Sequence, residues 1–80
     1  MTDRELEQRN KASFVESELS DVLNAATDGY VHHCEYAVEG PEEYVLVTLD
    51  HYLTEYVNVT GDSLWAILKD VMKAVASRYE

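Results

Sequence analysis

Twice along this 80-residue chain the spacing of apolar residues changes period, and any fold must accommodate both changes. Val15, Leu19, Val22, Leu23 and Ala26 recur at helical intervals; from Tyr30 the two-residue alternation of strands takes over; from Leu64 the helical interval returns. The predicted order is helix, three strands, helix. This is an α+β fold, an antiparallel meander with both helices on one face of the sheet.

Local signals place the boundaries. Ser13 and Glu16 have the spacing of a capping box, so the first helix is expected to start there and to end at Asp28-Gly29, a pair that tolerates left-handed geometry. Strand one is expected from Tyr30 to Val38, with a turn at Glu39-Gly40-Pro41-Glu42. Strand two runs from Glu43 to Leu49 and strand three from Leu53 to Val59, with Asp50, His51 and Tyr52 turning between them. Thr60 or Asp62 is expected to cap the last helix, with Leu64, Leu68, Val71, Met72 and Val75 on its inner face and Trp65 and Ile67 flanking. Residues 1–12 carry one strong apolar residue, Leu6, and read as a polar tail or a helix extension; residues 13–80 read as a single domain.

A strand slipped by one residue would turn every side chain to the wrong face, so the apolar pattern sets the register. Cys34, Tyr36 and Val38 are expected beside Val45, Val47 and Leu49, and these beside Leu53, Val57 and Val59, under the helices. The opposite face then shows Glu35, Ala37, Tyr44, Leu46, Thr48, Thr54, Tyr56 and Asn58. Glu55 breaks the pattern and would point inward unless it sits near an open edge.

Charge narrows the function. The net charge is -10, and the 57 residues from 12 to 68 contain eleven acids and no Lys or Arg. Such a field repels nucleic acid and anionic membranes and steers the protein towards positively charged surfaces. No apolar run approaches the ~18 residues needed to cross a bilayer, and the amino terminus lacks the apolar core of a signal peptide. The single Cys34 cannot form an intrachain disulfide, which fits a reducing compartment, so the cytoplasm is the expected location. A domain this small buries only about 60% of its unfolded surface, which keeps self-association in view.

The residues that could carry chemistry do not form a catalytic constellation. His32, His33, Cys34 and His51 are the soft-ligand candidates, but one cluster and a distant His lack the paired spacings of a structural zinc site; a core thiol with exposed imidazoles is favoured, and no metal or cofactor is expected. Cys34 and His33 are adjacent on a strand and so point to opposite faces, against a nucleophile–base pair. Glu42 and Glu43 at a hairpin tip would both stay ionised in solvent, unsuited to acid catalysis. Thr60-Gly61-Asp62-Ser63 has one Gly and an Asp that would repel phosphate. The chain is expected not to be an enzyme.

Six Tyr in 80 residues remain, five of them between residues 30 and 56. Tyr is favoured in strands for packing alone, but it is also enriched at the energetic centres of interfaces. Tyr44, Leu46 and Tyr56, ringed by Glu35, Glu39, Glu42, Glu43 and Asp50, form the candidate binding face: an apolar centre with a charged rim.

The cation-free stretch from Glu16 to Asp62, and the progression from EYVLVTLD through YVNVTG into DSLWAILKDVMKAV, resemble the small acidic phage-encoded anti-CRISPR inhibitor proteins that combine a three-stranded antiparallel sheet with flanking helices. The resemblance lies in architecture and charge, without a diagnostic motif. It implies inhibition in a host-cell cytoplasm by occupying the basic nucleic-acid-binding surface of a target such as a CRISPR effector, with carboxylates standing where phosphates would. The expected partner is thus a basic nucleic-acid-binding protein, not nucleic acid or membrane. The alternative is a non-catalytic adaptor that homodimerises through its sheet, its acidity serving solubility.

Overall fold

Thr2, not Ser13, opens the first helix. In the computed structural model, which describes residues 2–79, Thr2 is extended and its Oγ1 accepts a hydrogen bond from Glu5 N–H at 3.1 Å. Met1 and Glu80, the outermost residues of the two expected segments, lie outside that range. Thr2 and Glu5 have the same capping spacing as Ser13 and Glu16. Ser13 itself has helical dihedrals (φ -61°, ψ -45°) and makes no cap hydrogen bond. Helix α1 (Asp3–Ser13) passes through a π-helical segment (Phe14–Leu19) into α2 (Ser20–Ala26) as one rod. Its 24 residues span about 36 Å at 1.5 Å each, which accounts for the 39 Å long axis of the molecule. Asp28 (φ 52°) and Gly29 (φ 87°) end the rod in left-handed geometry, as expected.

The sheet has the order β1-β2-β3, from β1 (Val31–Glu39), β2 (Glu42–Leu49) and β3 (Thr54–Asn58), all antiparallel. Cys34 pairs with Val47 and Tyr36 with Val45, as expected, whereas Val38 pairs with Glu43 and Leu49 with Val31 across a register shift between Val31 and His33. Cys34, Val45, Val47, Leu49 and Val59 are buried beneath Val15, Leu19 and Leu23 of the rod and Ile67, Val71 and Val75 of α3 (Leu64–Tyr79). Each such burial is worth about 1.5–3 kcal/mol, and these contacts hold both helices on one face. Val38 and Leu53, expected inside, are 43% and 51% exposed near the ends of the two edge strands.

Ser63, rather than Thr60 or Asp62, caps α3: its Oγ accepts from Ala66 N–H at 3.3 Å. The buried stripe of α3 is Ile67, Val71 and Val75, one helical step round from the expected one, leaving Trp65, Met72 and Leu64 80%, 47% and 40% exposed. Both stripes keep helical spacing, so periodicity alone does not choose between them.

β1 is an edge strand, and the rod closes its edge. Cys34 N–H donates to Ser20 Oγ at 3.1 Å, Tyr36 N–H donates to Glu16 Oε2 at 3.2 Å, and Asn24 Nδ2 donates to the Val31 carbonyl at 2.8 Å. Glu16, expected in a cap, instead satisfies a strand donor that would otherwise invite another chain. Glu55 lies on the other edge strand, β3, and pairs with Arg78 of α3 at 2.9 Å, so its inward parity is met by a cation. Among the described residues no helix is long and apolar enough to cross a membrane.

Candidate interaction face

With both helices on one side of the sheet, the other side has no cover. Register places Ala37 beside Tyr44, Tyr44 beside Asn58 and Leu46 beside Tyr56, so residues from all three strands meet in one cluster. Ala37, Val38, Glu39, Tyr44, Leu46 and Tyr56 line a shallow depression of about 470 Å³. Tyr56 is 68% exposed, a large apolar body open to solvent.

The acids predicted to ring this cluster differ in what they do. The Glu39 side chain is exposed and carries no ion pair or hydrogen bond among the described residues. Glu42 accepts a hydrogen bond from the Tyr44 hydroxyl, which fixes the ring and raises the Tyr44 pKa. Glu35 contacts His33 Nε2 at 3.2 Å, and Asp50, at the opposite end of β2 from Glu42, contacts His32 Nε2 at 2.8 Å. Glu35, Glu39, Glu42 and Asp50 are all exposed.

Glu43 does not belong to the rim. Expected in solvent at the hairpin tip, it is buried on the inner side, where it continues the row of Val45, Val47 and Leu49. Its Oε1 receives the Lys11 ammonium at 2.8 Å and the Tyr36 hydroxyl, and its Oε2 receives Gly61 N–H at 3.0 Å. Its own N–H donates to Thr60 Oγ1 at 2.9 Å. Burial pushes the Glu43 carboxyl up, but the hydrogen bonds from Lys11, Tyr36 and Gly61 outweigh it and hold the pKa at about 2. Burial likewise pulls the Lys11 pKa down, and pairing with Glu43 and Glu7 more than reverses this. Burial and the Glu43 hydrogen bond both raise the Tyr36 pKa. The carboxylate is committed to joining α1, the hairpin and the β3–α3 loop, which is a structural task.

Sequence reasoning missed Lys11 as Glu43's partner, although a signal was present. Glu43 has the parity of the core row, and an acid facing a core requires a cation. Also missed was the pair of Asp62 and Asp70. A hydrogen bond with the facing Asp70 carboxyl, together with burial, raises the Asp62 pKa to about 6, while the Asp62 Oδ2 atom is buried without a hydrogen-bond partner among the described residues.

The soft-ligand candidates do not converge. His32 and His33 engage different carboxylates, His51 is exposed, and Cys34 is buried with its thiol pKa pushed up to about 11 by desolvation, which suppresses the nucleophilic thiolate. Among the described residues no three His, Cys, Asp or Glu side chains form a group that could hold a metal ion. No family model, curated protein or solved structure matches the chain.

Proposed function

We propose that this protein is a non-catalytic inhibitor that docks the uncovered face of its sheet onto a Lys/Arg-lined nucleic-acid-binding surface and displaces the nucleic acid. The observation that carries this reading is the combination on one face of an apolar centre, with Tyr56 68% exposed, and exposed carboxylates at Glu35, Glu39 and Glu42 without a Lys or Arg on any strand, with Asp50 exposed just past the end of β2. Tyr44 and Tyr56 supply rigid contact area, and the carboxylates supply attraction and orientation. The resemblance to anti-CRISPR inhibitors makes a CRISPR effector one target of the required kind, and the host cytoplasm the place where they would meet.

An adaptor that homodimerises through its sheet is less favoured at β1, whose edge is already satisfied by Ser20, Glu16 and Asn24; the β3 edge and the outer face stay open to it. Spreading acids for solubility alone would not explain an aromatic centre among them.

The test uses immobilised protein to capture partners from a lysate, followed by displacement of DNA or RNA from each purified basic partner. The proposal expects at least one partner whose nucleic acid is released, with release weakening as salt rises. Glu39→Lys with Glu42→Lys should abolish release while the fold persists. Capture without displacement of nucleic acid would overturn the proposal.

A further inference from the structure

We propose that the groove between the long helical rod and α3 is the docking site for a second copy of this chain, related by a two-fold axis. This does not depend on what the sheet binds. The groove, about 290 Å³, is lined by Phe14, Glu18, Leu64, Trp65 and Leu68. Trp65 is 80% exposed at its lip. Val22, one turn beyond Glu18, is 53% exposed, and Met72, one turn beyond Leu68, is 47% exposed, so apolar surface continues along both walls. Isolated exposed apolar residues are ordinary; a contiguous set around a Trp is the composition of an interface centre.

Charge identifies the occupant. Lys69 and Lys73 follow Trp65 at successive four-residue steps on α3, are exposed, and carry no ion pair among the described residues. Two other cations are consumed inside the molecule, Lys11 by Glu43 and Glu7 and Arg78 by Glu55. Glu18 on the facing wall is also exposed and carries no ion pair or side-chain hydrogen bond among the described residues. The patch thus presents lysines on one wall and a carboxylate on the other, flanking a shared apolar floor.

A uniformly basic partner would meet Lys69 and Lys73, an acidic partner would meet Glu18, and an anionic membrane would be repelled by the carboxylates of the rod. A surface with both signs in reversed order suits Lys69 and Glu18 together, and a two-fold rotation of the patch onto itself supplies that surface. Trp65 of each copy then covers the groove of the other, Lys69 of each meets Glu18 of the other, and both sheet faces stay outward. The domain is small enough for the added burial to matter to its stability.

Sedimentation velocity on the full chain from micromolar to millimolar concentration tests the proposal. Wild type should pass from monomer to dimer. Trp65→Ser should weaken dimerisation about thirtyfold per copy, hence about a thousandfold for a symmetric pair, with the far-ultraviolet circular dichroism unchanged. Lys69→Glu alone and Glu18→Lys alone should each weaken the homodimer, and an equimolar mixture of the two should regain a heterodimer, because each carries the charge the other needs. A monomer at every concentration, a dimer indifferent to Trp65→Ser, a dimer lost on Tyr56→Ser, or a mixture that stays monomeric would each overturn it.

Discussion

The Lys11 ammonium lies 2.8 Å from Glu43 Oε1, across 32 residues of sequence, with both side chains buried. Lys11 is the only buried residue of α1, so this polar helix is held by an ion pair rather than by an apolar stripe. Removing one member leaves the other charge buried and unpaired, a loss of about 3–5 kcal/mol. Lys11→Met should therefore lower the unfolding free energy extrapolated from urea titration by that amount. The double variant Lys11→Met, Glu43→Gln should lose less than the sum of the singles. A Lys11→Met protein within about 0.5 kcal/mol of wild type would show the pair to be inert.

Two carboxyls give stability opposite slopes with pH. The fold lowers Glu43 from 4.5 to about 2, so its contribution is complete above pH 4.5 and is lost as pH falls through about 2. Asp62 is raised from 3.8 to about 6 by Asp70, so its contribution is complete below 3.8 and is lost as pH rises through about 6. Stability should peak on the acid side of neutrality. Asp62→Asn should remove the decline between pH 4 and 6 and leave the protein more stable than wild type at pH 7 by on the order of 1 kcal/mol, with no difference at pH 4. Chemical denaturation at a series of pH values reads this directly, and an unchanged slope in the variant would refute the coupling.

The turn between β2 and β3 carries strain that can be relieved. His51 and Tyr52 both occupy left-handed backbone (φ 62° and 60°), which costs a residue with a Cβ about 1–2 kcal/mol. Tyr52 is 97% exposed, so its side chain offers no packing in return. Tyr52→Gly should raise stability by about 1 kcal/mol, net of the entropy glycine loses on folding. Equal or lower stability in thermal unfolding would show that the left-handed backbone at Tyr52 stores no recoverable strain.

Element order and most of the sheet register were legible because strand parity is a two-valued signal that Cys34, Tyr36, Val45, Val47 and Val57 obey; Val38 and Leu53, near the ends of the edge strands, do not. The helix boundaries were less so. Thr2 and Glu5 carry the same capping spacing as Ser13 and Glu16, and the polar run between them has no apolar face to argue for a helix; its anchor is a contact with Glu43 that local pattern cannot contain. On α3 two stripes one residue apart satisfy helical spacing, and only packing against the sheet selects Ile67, Val71 and Val75. The outer face is readable as a set of residues except for Glu43, whose hairpin position argues for solvent while its parity with Val45, Val47 and Leu49 argues for the core, and the Lys11 contact decides for the core.

The outer face and the buried ion pair separate binding from folding. Glu39 and Glu42 are exposed and Tyr56 projects into solvent, so Glu39→Lys, Glu42→Lys and Tyr56→Ser should each change stability by no more than about 0.5 kcal/mol. Under the proposed function, the two charge reversals should slow association with the basic partner and flatten its salt dependence, and Tyr56→Ser should speed dissociation. Glu43→Lys lies one residue from Glu42 yet faces the buried Lys11, so it should unfold the domain and lose binding for that reason alone. Surface plasmon resonance at two salt concentrations, beside circular dichroism of each variant, distinguishes these cases. Unchanged kinetics for all three folded variants would remove the sheet face from the interface.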